Sequence, residues 1–145
     1  MKILIVNQSS VRTPKKFIDT WCKKLQKEFL KHKVFTKTHA QKEITLVFLN
    51  PREAQRTNKQ FRGKDYATDV LSFDSMSADS LGELIMCPQV LQKQAKEHGL
   101  TYQEELGYML LHGVLHLLGY DHETNERDAK EMFGIQDEVF AQLLK

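Results

Sequence analysis

A chain of 145 residues fits one domain, residues 1–145, around a single core. Its 41% hydrophobic and 28% charged residues are ordinary for a soluble globular protein, and no apolar run approaches the roughly 20 residues of a membrane span. Net charge is only +2, yet residues 1–42 hold 11 Lys and Arg against Asp19 and Glu28, an imbalance that suits either a polyanion-binding surface or a solvated Lys-rich helix.

Cys22 and Cys87 form no zinc or redox motif, and the opening apolar run is too short for a signal peptide. A reducing cytoplasm is therefore the expected compartment. Residues 2–7, Lys-Ile-Leu-Ile-Val-Asn, read as a short buried strand. Thr13 and Pro14 suit an N-cap and first helical position. Phe17, Trp21, Leu25 and Phe29 then recur every four residues, predicting an amphipathic helix to about residue 32 with its lysines outward. That aromatic stripe is core, not a base-stacking surface.

Residues 43–49 form a second strand, followed by Asn50-Pro51-Arg52-Glu53, a capping box with Pro at the first helical position. The helix it opens should stop near Gly63, with a loop over 64–68. Val70 to Phe73 and Glu83 to Cys87 read as strands paired in a hairpin. Pro88 begins a helix that Gly99 ends. Thr101 and Glu104 form another capping box, and the helix it starts is apolar around most of its circumference, as a central buried helix is. Asn125 caps a last helix with Ala129, Met132, Phe133, Val139, Phe140 and Leu143 inward. The expected fold class is α+β: a small, mixed, mainly parallel four-stranded sheet packed on helices around the central one.

That central helix carries the chemistry. His112 and His116 are four apart, so their imidazoles lie one turn above the other on one face. Gly119 suits a left-handed helix end, and the return of the chain brings His122 round as a third ligand. Three neutral nitrogens with one open position make a catalytic rather than a structural zinc site. The spacing is that of the metzincin signature H-E-x-x-H-x-x-G-x-x-H, with Gly113 where the Glu should be. That Glu is a metalloprotease's general base, so the motif keeps the metal and argues against a peptide substrate.

The segment from His112 to His122, His-Gly-Val-Leu-His-Leu-Leu-Gly-Tyr-Asp-His, resembles the signature of the YbeY family of bacterial metallo-endoribonucleases. Phe61 to Phe73, Phe-Arg-Gly-Lys-Asp-Tyr-Ala-Thr-Asp-Val-Leu-Ser-Phe, is similar to that family's other marked segment, and Leu81-Gly-Glu-Leu-Ile to a third block. Two positions depart from the pattern: Asp74 stands where Pro is usual, and Glu83 where Asp is usual. The resemblance implies a zincin-like fold and a zinc-dependent, single-strand-specific endoribonuclease. It implies a role in ribosomal RNA maturation, including the 16S rRNA 3′ end, and in ribosome quality control. Its partners would be single-stranded RNA, ribosomal RNA and ribosomal particles, with no membrane. Carried over by position, His112, His116 and His122 are the ligands of one Zn2+ per chain, and Arg62 is the functional arginine.

Arg62 offers a planar fork of donors to a phosphate; its position alone would also fit a surface ion pair. Lys64 and the Lys-rich first helix are candidates for guiding the RNA backbone. Asp121 is a candidate to orient a ligand imidazole from behind, or else a turn residue. His32, His39 and His98 lack ligand-spaced partners and read as surface residues. Met132 reads as core rather than as a Met beneath a metal. Two other classes fit the same residues: a non-catalytic zinc-containing ribosome assembly factor, and a metal-dependent hydrolase of another substrate.

Overall fold

The computed structural model describes residues 1–145. Strands β1 (Lys2–Asn7), β2 (Glu43–Phe48), β3 (Val70–Asp74) and β4 (Ser80–Met86) form one sheet in the order β1-β2-β4-β3. The β1–β2 and β2–β4 pairings are parallel, and β3 runs antiparallel to β4. Helices α1 (Lys15–Lys31), α2 (Lys37–Ala40), α3 (Pro51–Arg62), α4 (Pro88–His98), α5 (Tyr102–Leu117) and α6 (Glu126–Leu143) complete an α+β fold.

Alternation decides which sheet face is inside. Ile44, Leu46 and Phe48 of β2 and Leu84 and Met86 of β4 are buried, in one core with Ile18, Trp21, Leu25 and Phe29 of α1. Helix α5 fills the middle of that core. Leu106, Leu110, Leu111, Val114 and Leu115 are fully buried and point to different sides of the helix, so neighbours surround it. Its start is fixed as the capping box requires: Thr101 Oγ1 accepts from Glu104 N–H at 3.1 Å, and Thr101 N–H donates to Glu104 Oε1 at 2.9 Å.

Several local expectations change. Strand β1 is not buried but lies at the sheet edge, with Leu4 47% and Val6 37% exposed; an apolar run does not say whether one neighbour or two will cover it. Helix α1 begins after Pro14, one residue later than expected, and without a side-chain cap. Asn50 makes no cap either. Its Oδ1 accepts instead from Ser10 N–H at 2.9 Å and Gln89 Nε2 at 2.8 Å, tying the β1–α1 loop to α4. Strand β4 starts at Ser80, before the apolar run, because backbone pairing with β2 and β3 continues past it. Helix α2 is a single turn that buries nothing, so no apolar period announced it.

Candidate metal centre and cleft

The C-terminal end of α5 closes with a Schellman turn, in which Tyr120 N–H donates to Leu115 O and Gly119 N–H to His116 O, both at 3.0 Å. Gly119 takes φ +98°, the left-handed backbone its position called for. The chain then doubles back, and Asp121 fixes the next turn through both carboxylate oxygens. Oδ1 accepts from Glu123 N–H at 2.9 Å, and Oδ2 accepts from the Thr124 hydroxyl at 2.6 Å. Those two donors, Thr124 first, hold the Asp121 carboxyl below its ordinary range. Asp121 is thus hydrogen-bonded within the turn that carries His122.

This turn brings the three imidazoles together. Their ring centroids are 4.6 to 5.2 Å apart, and one nitrogen from each lies within 4.8 Å of the others. The His112 and His116 Nε2 atoms are 3.1 Å apart. A tetrahedral ion with bonds of 2.0–2.1 Å sets its ligand nitrogens about 3.3 Å apart, so this pair is already at chelating distance. His112 Nδ1 donates to Gln136 Oε1 at 2.8 Å, which leaves the Nε2 lone pair facing the other two rings. Burial, above all, lowers the pKa of both His112 and His116, favouring the neutral form that binds metal. The donor set therefore fits a divalent ion, and these three residues can hold one.

The triad lies in a cleft of about 950 Å³ lined by β3, the end of α3, the 119–123 turn and α6. Arg62 and Lys64 both line it. Arg62 Nη2 lies 3.3 Å from Glu123 Oε1, one residue beyond His122, so the ion pair that its position suggested does form, inside the cleft. No residue of α1 lines the cleft, which separates the Lys-rich helix from the triad and leaves Arg62 and Lys64 as its Lys and Arg residues. Met132 is fully buried in the core and does not line the cleft.

Gly113 faces away from this chemistry. A Cβ there would sit 2.8 and 2.9 Å from the two methyls of Leu84, itself fully buried on β4. The position of the protease Glu is thus pressed against the sheet.

Sequence reasoning missed Gln136, although a Gln between Met132 and Val139 on the buried stripe of α6 was a readable signal. It read His98 as a surface residue, as observed, but gave no sign of its contacts. His98 is half exposed, but it lines the cleft, and its Nδ1 lies 2.9 Å from an oxygen of the fully buried Glu105.

Fold and site together define a zincin-like α+β protein whose central helix ends in a three-histidine group able to hold a metal. The chain belongs to the endoribonuclease YbeY family, whose sequence profile matches residues 4–144. It is 63% identical over 145 residues to endoribonuclease YbeY of Bdellovibrio bacteriovorus, covering all of this chain and 97% of that one. Endoribonuclease YbeY of Petrotoga mobilis is 38% identical over 148 aligned positions, again covering all of this chain and 97% of its own. The solution structure of a Thermotoga maritima protein superposes with a TM-score of 0.67 at 31% identity, over 97% of this chain and 88% of that one. No helix is long and apolar enough to cross a membrane.

Proposed function

We propose that this protein is a zinc-dependent endoribonuclease that cleaves single-stranded RNA, with one Zn2+ per chain held by His112, His116 and His122. The observation that carries the reading is the convergence of three imidazoles with Arg62 in one open cleft of a YbeY-family chain. Family membership is also what supports a place in ribosomal RNA maturation, including the 16S 3′ end, in ribosome quality control, and in the cytoplasm.

When bound, the ion supplies a Lewis acid and a water acidified to a pKa of about 7. The chain does the rest. Gln136 fixes the His112 tautomer, and the Asp121 turn places His122. Arg62 offers paired N–H donors to the non-bridging oxygens of the scissile phosphate, where negative charge grows, and Lys64 holds a neighbouring phosphate by charge. Glu123 keeps the Arg62 fork oriented until a phosphate replaces it.

Peptides are a poor match. An amide nitrogen must be protonated to leave, and Gly113 cannot relay that proton. The deciding test offers zinc-loaded protein a single-stranded ribosomal RNA fragment, the same fragment as a duplex, and unfolded casein. Single-strand cleavage that disappears in His116→Ala is expected. Casein cleavage, or RNA cleavage undiminished in that variant, overturns the reading.

A further inference from the structure

We propose that Phe61 and Tyr66 form a stacking platform for unpaired RNA bases, and that this platform gives the cleft its preference for single strands. The inference rests on the endoribonuclease reading and deepens it. Its starting point is where aromatic surface is left uncovered. Most aromatic side chains are buried or half-buried, and the three exposed ones, Phe61 at 60%, Tyr66 at 53% and Phe133 at 40%, all line the metal cleft. Exposed apolar residues elsewhere, such as Leu4, Leu30 and Met76, are aliphatic. Phe133 is the least exposed of the three and lies against His122, with ring centroids 5.3 Å apart. Phe61 and Tyr66 keep much of their surface open.

The local fold holds them there. Phe61 is in the last turn of α3, and its ring meets Phe73 of β3 edge-on, with centroids 5.2 Å apart and planes at 76°. Gly63, at φ +69°, ends the helix and sends the chain back along it. The returning segment is then pinned to α3. The buried Asn58 donates from Nδ2 to Tyr66 O at 2.9 Å, and Gln55 Nε2 donates to Asp65 Oδ1 at 2.9 Å. Both rings are thereby presented from a braced backbone, not from a loose loop.

Their neighbours identify the occupant. Aromatic and cationic residues are interleaved here as Phe61, Arg62, Lys64 and Tyr66, all four lining the cleft. Rings that stack on base faces beside cations that hold the backbone are how proteins grip single-stranded nucleic acid. An apolar peptide would gain nothing from Arg62 and Lys64. A duplex keeps its base faces stacked on one another and has none to offer. An unpaired strand satisfies both parts of the surface.

The test uses full-length, zinc-loaded protein and a short single-stranded RNA carrying one 2-aminopurine, whose fluorescence is quenched by stacking. Phe61→Leu and Tyr66→Leu keep apolar bulk and remove the ring. Each should raise KM by about tenfold, the scale of one lost base stack, by more than any fall in kcat. Quenching on binding should be lost in the double variant, with metal content unchanged. A second arm needs no variant: wild-type protein should bind the same RNA about tenfold more weakly when a base contacting the platform is replaced by an abasic ribose. If wild-type protein cleaves RNA but neither leucine variants nor abasic sites alter KM, the platform is refuted and the endoribonuclease reading stands. Failure of wild-type protein to cleave or bind any RNA refutes both. Loss of ribosomal-particle binding in the leucine variants, with KM for free RNA unchanged, would assign the rings to a protein partner instead.

Discussion

Gln136 and His112 are 24 residues apart in sequence and meet at 2.8 Å, where the buried amide oxygen accepts a hydrogen bond from Nδ1 of an imidazole of the histidine triad. Partners of this kind typically change metal affinity by 10–100-fold when removed. Gln136→Leu keeps the volume and deletes the acceptor. We expect it to bind zinc at least about tenfold more weakly in competition with a chromophoric chelator, with its fold intact by circular dichroism. Wild-type affinity in Gln136→Leu would mean that the tautomer is set by something else.

The three histidines are tested as ligands by elemental analysis of protein purified without added metal. One divalent ion per chain is expected in wild type, and much less in His116→Ala. Undiminished metal in the variant lacking His112, His116 and His122 together would place the ion elsewhere.

Arg62 and Glu123 give a prediction with a sign. Their side chains are 38% and 60% exposed, so the pair contributes about 0–1 kcal/mol to stability, and Arg62→Lys should leave Tm nearly unchanged. Activity should fall sharply, because a point charge does not reproduce the paired donors. Glu123→Gln should act the other way and lower KM for RNA, since the carboxylate competes with phosphate for the same guanidinium. A raised KM in Glu123→Gln would show that Glu123 only orients Arg62.

Three histidines should titrate in opposite directions from their ordinary 6.5 in metal-free protein. The hydrogen bond to Glu105, then its charge, raises His98. Burial foremost lowers His112 and His116. The His98 contribution to stability is therefore fully present below pH 6.5 and lost as pH rises through its raised pKa. For His112 and His116, stability is fully present above pH 6.5 and lost as pH falls through their lowered pKa values. Imidazole NMR titration reads all three directly. A midpoint for His98 below those of the other two would contradict the geometry.

The sequence made some of this legible and hid the rest, for separable reasons. His112, His116 and Gly119 are related by helix geometry, so spacing alone placed them, and Thr101 with Glu104 announced the start of the same helix. Asn50 carried an equally good capping signal, yet its side chain was taken by Ser10 and Gln89, contacts set by how distant segments pack. The exposure of Phe61 and Tyr66 was hidden for the same reason: ring identity is local, and its covering is not. Lysines on α1 suggested a nucleic-acid surface, but only the fold could show which cations share a cleft with the histidines.

Gly113 packed on Leu84 also bears on how such sites diverge. Restoring a glutamate at 113 puts its Cβ within 2.9 Å of the Leu84 methyls, so that change by itself overpacks the core. Making room first, by Leu84→Ala, sacrifices roughly 2–5 kcal/mol, a large share of what a small domain has to spare. Either first step is disfavoured before any new activity can reward it. A lineage with this helix seated this closely on its sheet meets a barrier at either first step, so a glutamate at 113 lies across a valley two mutations wide.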